Sequence, residues 1–198
     1  TLPSAMASAG VVKRCEPLEN DKPQIVIHQI ATAETAAILK EGSDESLRGL
    51  HDALLETKRF DKVVLLDSMH LKSPGPGQFP TALSWSEVER ICKANRIEAL
   101  FSLEMFESRL EVDPIIIDRV SGNPNDIARV ANARVTMHTR ITTGWRIYDP
   151  KRKELADEFI LYTTITASLS AMNPVLSAEA LLNRKEAIKQ SANALGRD

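Results

Sequence analysis

The segment ARVTMHTRITTGWRIYDP, residues 133–150, alternates its side chains over a length that few folds can accommodate. Val135, Met137, Ile141, Trp145 and Ile147 fall on one side, with Thr136, His138, Arg140, Thr142, Arg146 and Tyr148 on the other. A period of two belongs to a strand with one buried face. The Trp145 side is therefore expected to be core, and the Arg140, Arg146 and Tyr148 side to face solvent or a partner. YDPKRKEL then reads as a turn opened by Asp149 and Pro150, and LADEFILYTTITAS, residues 155–168, as the antiparallel return strand. Thr163, Thr164 and Thr166 suit its pleated surface. The charged turn itself reads as a solvated hairpin end.

Upstream the period changes. QIVIHQI (24–30) is a short β-branched run, expected to be a buried strand carrying a structural His28. GSDESLRGLHDALLETKRF (42–60) places Leu47, Leu50, Leu54 and Leu55 on one helical stripe, with His51 at its boundary and Ser43 or Asp44 as cap. DKVVLLD (61–67) is a second apolar strand, and two strands joined by a helix predict a parallel βαβ unit. In SWSEVERICKANR, Ser84 and Glu87 form a capping box ahead of Val88, Ile91 and Cys92. IEALFSLEMFESRLEV (97–112) reads as a long central strand, apolar on both faces at its start and polar at its end. DPIIIDRVSGNPND (113–126) is ambiguous between strand and loop, and SAEALLNRKEAIKQSANAL (177–195) carries Leu181, Leu182, Ile188, Ala192 and Leu195 on a final helix.

The expected fold is α/β (α+β), a mixed sheet in the order β-α-β-α-β-β-β-α, with helices flanking an antiparallel meander. Residues 1–23 mix small, polar and proline residues without a period and are expected to be an irregular arm ahead of a single domain, 24–198.

Composition narrows the function. The net charge is −2, and the one basic run, Lys151 to Lys153, lies beside Glu154, Asp157 and Glu158. Acids that close cancel most of its field within a Debye length of ~8 Å, so nucleic acid and anionic lipid are not expected partners. Cys15 and Cys92 lack a CxxC partner, and His28, His51, His70 and His138 are scattered singly. Neither a metal nor a cofactor is expected from that spacing, and both cysteines are read as thiols. No run of ~18 apolar residues is present to span a membrane, and no signal peptide is visible. The start at Thr1 and the close on ALGRD suggest a piece of a longer precursor.

The Pro- and Gly-rich loop SMHLKSPGPGQFP (68–80) fails as a phosphate cradle, because no Lys follows its glycines and its prolines remove the N–H donors a phosphate needs. Asp67 stands at the carboxyl end of a strand, where ligands of open α/β sheets gather, although a lone Asp there is more often a turn former. Glu104, Glu107 and Asp149, with His138 as an alternative base, are the groups from which a carboxylate-dependent hydrolase of an envelope or glycan substrate could be built. No GxSxG or HExxH motif supports that reading.

GSDESLRGLHDALLETKRFDKVVLLD, RICKANRIEALFSLEMFES and TGWRIYDPKRKELADEF, in that order, resemble the N-terminal domain of an uncharacterised lipoprotein family of Bacteroidetes-type envelopes. The element order is also similar to that of the N-terminal domain of the Tol-system periplasmic protein and of curli-secretion lipoproteins. The resemblance implies a cell-envelope location, periplasmic or outer-membrane-anchored in the full-length precursor. It implies no catalytic residue, and Cys15 sits in no recognisable lipobox. The favoured reading is a non-catalytic interaction or assembly domain with Arg140, Arg146 and Tyr148 as contacts for an envelope protein, a glycan or further copies of the chain.

Overall fold

The computed structural model describes residues 6–15, 28–69, 71, 79–113, 116–118, 132–170 and 174–198. Among the described residues six strands form one mixed sheet: β1 (Ser8–Lys13), β2 (Lys62–Leu65), β3 (Ala99–Val112), β4 (Ile116–Asp118), β5 (Asn132–Asp149) and β6 (Glu154–Ser170). The helices described with them are α1 (His28–Glu56), α2 (Trp85–Asn95) and α3 (Pro174–Arg197). The sheet runs β2-β1-β3-β5, after which β5 pairs with β6 along one side and with the short β4 beyond the end of β3. β1 is parallel to both β2 and β3, and β3, β5 and β6 form the expected antiparallel meander.

The mixed α/β class and the parallel βαβ unit stand, but the first strand lies elsewhere in the chain. Residues 8–13, expected to be part of an irregular arm, are β1, hydrogen-bonded on both sides in the middle of the sheet. The small residues of SAGVVK dilute the apolar signal of a strand, and they suit one squeezed between layers. Gly10 shows the squeeze: a Cβ there would lie 2.3 Å from Ile97 Cδ1. His28 to Ile30, expected in a strand, open α1, and residues 24–27 of that expected strand lie outside the described residues. α1 also runs unbroken through Ser43 and Asp44, so neither caps it; Ser43 Oγ instead donates to Lys40 O at 2.9 Å. The serine returns its hydroxyl to the preceding turn, which satisfies it without ending the helix.

Two cores lie against the sheet, one on each side. Val11, Phe101, Leu103, Phe106, Ile141 and Trp145 pack with Leu47 of α1 and Ile188, Ala192 and Leu195 of α3. Val12, Leu100 and Tyr148 pack with Val88, Ile91 and Cys92 of α2. Neighbours in β1 thus feed opposite layers, as strand alternation requires. α1 and α3 approach closely because Gly49 and Gly196 carry no side chain: a Cβ at either would lie about 2 Å from a backbone oxygen of the other helix (2.1 Å from Asn193 O, 2.0 Å from Ser46 O). Ser46 Oγ donates to Ala192 O at 2.8 Å across the same contact.

α2 follows its sequence signal closely. Ser84 is the N-cap and accepts from Glu87 N at 3.3 Å, while Arg96 in the left-handed region (φ 53°) closes the other end. No helix among the described residues is long and apolar enough to cross a membrane.

Candidate functional site

The hairpin strand β5 carries the residues expected to meet a partner, and its outer face divides into two unlike halves. Toward the β5–β6 turn, α2 and residues 79–85 lie over the sheet. There Arg146 is only 6% exposed and Tyr148 is fully buried, which overturns their assignment as surface contacts. Toward the other end nothing among the described residues covers the face, and Arg140 remains exposed.

The covered half is a polar network built around Glu104. The β3–β5 register shifts between Leu103 and Met105, and Glu104 sits in that irregularity with its side chain fully buried. The extra residue places Glu104 and Met105 in succession on the outer side, so the carboxylate lies with Arg146 and Tyr148 while the alternation resumes in the opposite phase at Phe106. Tyr148 OH donates to Glu104 Oε1 at 2.7 Å and accepts from Leu83 N at 3.0 Å. Arg14 Nη1 donates to Glu104 Oε2 at 3.1 Å and also to Thr81 O at 2.7 Å. Arg146 lies 4.0 Å from Glu104, donates from Nε to Glu158 at 2.6 Å and from Nη1 to Pro80 O at 2.5 Å, and stacks on Phe79 at 4.3 Å from the ring centre. Gly144 leaves room for that ring: a Cβ there would lie 2.6 Å from Phe79.

Burial, and then the negative Glu104, push the Tyr148 hydroxyl well above its ordinary range. Burial works against the charge on Arg146, but the hydrogen bond to Glu158 and the field of Glu104 outweigh it and hold the guanidinium firmly charged. Each carboxylate oxygen of Glu104 is engaged by a donor, so the network fastens residues 79–84 to the sheet and leaves no carboxylate oxygen turned toward a substrate.

The other hydrolase candidates are not drawn together with Glu104. Glu107 pairs with Arg109 at 3.0 Å on the outer face. Asp149 is buried at the hairpin turn, where Oδ1 accepts from Lys151 N and Arg152 N at 3.0 and 3.1 Å. His138 lies farther along β5, with Nδ1 3.0 Å from Thr166 Oγ1 and Nε2 3.2 Å from Asp113 Oδ2. Among the described residues no group of three or more His, Cys, Asp or Glu is placed to hold a metal ion. Cys92 is buried, which raises its thiol to about 11, and no disulfide joins it to Cys15. His70 and most of the Pro/Gly loop lie outside the described residues.

The open half joins three strands. β3 contributes Glu107, Arg109 and Glu111; β5 contributes Thr136, His138, Arg140 and Thr142; β6 contributes Ile160, Tyr162, Thr164 and Thr166, in register with them. Arg140 stacks on Tyr162 with its guanidinium carbon 4.4 Å from the ring centre. Ile160 and Tyr162 are 52% and 63% exposed. β6 pairs only with β5, so its second edge meets no strand among the described residues. Residues 159–170, FILYTTITASLS, contain no charge, proline or glycine. The outward row of β6, with its apolar Ile160 and Tyr162, carries no distinguishing sequence signal, because Phe159, Leu161 and Ile165 make the other row apolar as well.

A family model described as a domain of unknown function (DUF8603) matches residues 6–198, and the chain belongs to that family. No curated protein matches it. Among solved structures, a neuraminyllactose-binding hemagglutinin homolog from Helicobacter pylori is similar over 98% of this chain and 86% of its own, at 10% identity and a TM-score of 0.41. Rare lipoprotein B from Shewanella oneidensis is similar over 95% and 89%, at 10% identity and a TM-score of 0.36. The PelC dodecamer from Paraburkholderia phytofirmans is similar over 98% and 90%, at 9% identity and a TM-score of 0.29.

Proposed function

Taking membership of that domain family as the premise, we propose that this chain is a non-catalytic interaction domain of the cell envelope. Its working surface is the open half of the β5–β6 face with the adjoining edge of β6. The observation that carries this reading is the edge itself. A strand edge presents a row of N–H and C=O groups, and proteins ordinarily blunt such an edge with charge, proline or a bulge. Residues 159–170 have no charge or proline, and the only register shift with β5 lies near the turn, between Ile147 and Tyr148. An extended segment of a partner can add to this edge through its main chain, with Ile160, Tyr162 and Arg140 supplying side-chain selectivity. Of the three contacts expected from the sequence, Arg140 alone belongs to this surface.

The envelope location rests on the resemblance of the three sequence stretches to envelope lipoproteins. Cell fractionation of the natural full-length protein tests it, and recovery in the cytosol alone would remove it. Contact is tested by a photo-crosslinking residue placed at Tyr162, with Lys93 on α2 as the control position. A discrete adduct from position 162 that Ile160→Lys abolishes is the expected result. The same adducts from both positions, or none from 162, would return β6 to a purely structural role.

A further inference from the structure

A second, unrelated feature lies at the carboxyl ends of β1 and β2. Parallel strands leave a crevice at that end, where the connections diverge, and ligands of open α/β sheets collect there. Here the crevice is a cleft of about 190 Å³, lined by Lys13 at the end of β1, Leu65 and Asp67 at the end of β2, and Lys40, Asp44, Leu47 and Arg48 of α1. Positions 40, 44 and 48 are one helical turn apart, so they present a single row toward the strand ends. Asp67, singled out in the sequence by its place after a strand, therefore has company.

The charges sort into satisfied and unsatisfied. Lys13 is buried and donates to Asp44 at 2.5 Å, which neutralises the floor of the cleft. Arg48 is held from outside by Glu45 at 2.6 Å. Lys40 and Asp67 are exposed and, among the described residues, neither forms an ion pair with the other or with a third group. Among the described residues the cleft thus offers one unmatched cation from α1 and one unmatched anion from the end of β2. A simple anion drawn to Lys40 would face Asp67 and Asp44, and a simple cation drawn to Asp67 would face Lys40 and Arg48. A molecule carrying both charges a few bonds apart meets neither penalty.

We propose that this cleft binds a free amino acid through its zwitterionic head, the ammonium group on Asp67 and the carboxylate on Lys40, with Arg48 beside it. The volume suits a ligand of that size, since it falls below the ~300 Å³ at which pockets begin to hold drug-sized molecules. Leu47 and Leu65 supply the apolar wall for the ligand's carbon atoms.

The experiment is a nuclear magnetic resonance titration of the whole chain with the common L-amino acids at millimolar concentration. At least one should give saturable shifts of the backbone amides of residues 40–48 and 65–67. Its N-acetyl derivative, which lacks the ammonium group, and its amide, which lacks the carboxylate, should each bind about tenfold more weakly or worse. Asp67→Asn and Lys40→Met should weaken the parent amino acid by a similar factor; both side chains are exposed, so an unchanged spectrum elsewhere will show that the variants fold. Absence of saturation by any amino acid overturns the proposal. So does equal affinity for the N-acetyl derivative, which would mark a simple anion site, or for the amide, which would mark a simple cation site. None of these outcomes bears on the β6 surface, which is formed by other strands.

Discussion

Arg146 and Arg140 lie on the same face of the same strand, six residues apart, yet one is locked inside the protein and the other stands in solvent. The difference is made by what crosses the sheet. Residues 79–85 and α2 pass over the Arg146 end, where Phe79, Pro80 and Leu83 meet the guanidinium and the Tyr148 hydroxyl. Over the Arg140 end nothing described passes, and its guanidinium finds only the Tyr162 ring. Identical chemistry therefore serves fastening at one end and is available for recognition at the other. A charged side chain acquires its role from the layer above it.

The largest effect should come from the centre of the fastened half. Glu104→Ala removes the acceptor shared by Arg14 and Tyr148 and leaves Arg146 with Glu158 as the one remaining charge that offsets its burial among those described. Breaking a buried ion pair by deleting one partner costs about 3–5 kcal/mol. Denaturant unfolding should show a loss of that order, and a loss under ~1 kcal/mol would mean that residues 79–84 are held by packing alone. Glu107→Ala, on the open half, should change stability by no more than about 0.5 kcal/mol.

Tyr148→Phe is milder. It keeps the ring, which stands edge-on to Trp85 at 5.9 Å, and deletes only the hydroxyl that links Leu83 N to Glu104. An unsatisfied buried carboxylate oxygen and amide together cost about 1–3 kcal/mol. The same core layer also predicts a response to alkali. The folded values of Tyr148 and Cys92 are both raised, so the unfolded chain loses these protons first as pH rises. The Cys92 contribution is complete below the unfolded thiol value of 9.0 and is lost as pH climbs toward about 11, and the Tyr148 contribution begins to fall only above the unfolded phenol value of 10.0. Urea midpoints should fall across that window, and Cys92→Ala, whatever it costs near neutrality, should flatten the slope. An unchanged slope in the variant would remove Cys92 as a contributor.

Much of this architecture could be read from local patterns, and what escaped did so for a consistent reason. α2 was legible to the residue because Ser84 and Glu87 solve the helix N-terminus by themselves. The meander was legible because β5 and β6 alternate over most of their length. β1 was not, because a strand buried on both sides needs no alternation, and SAGVVK offers only small residues and a short apolar run. The true extent of α1 was not legible because Ser43 and Asp44 imitate a local cap inside a helix held by packing against α3 and the sheet. The site followed the same rule: alternation placed Arg140, Arg146 and Tyr148 on one face correctly, but coverage of that face is a tertiary fact. Arg14 and Glu104 meet across strands whose residues are ninety positions apart in sequence.

The smallest stability effect is the sharpest test of the division. Arg140 and Tyr162 form an exposed cation–π pair, a contact that contributes about 0.5–1 kcal/mol at such sites. Arg140→Met should therefore cost no more than that, whereas Arg146→Met, which takes the donor from Glu158 and the buried Pro80 carbonyl and empties the space over Phe79, should cost several times as much. If the open half is a recognition surface, the ranking reverses for binding: Arg140→Met should weaken crosslinking from position 162 strongly, and a folded Arg146→Met protein should retain it. A matched pair of variants with opposite ranks in stability and contact would establish that one strand face carries two separate roles. Equal ranks would mean that the open half is surface without function, left uncovered because the helices do not reach it.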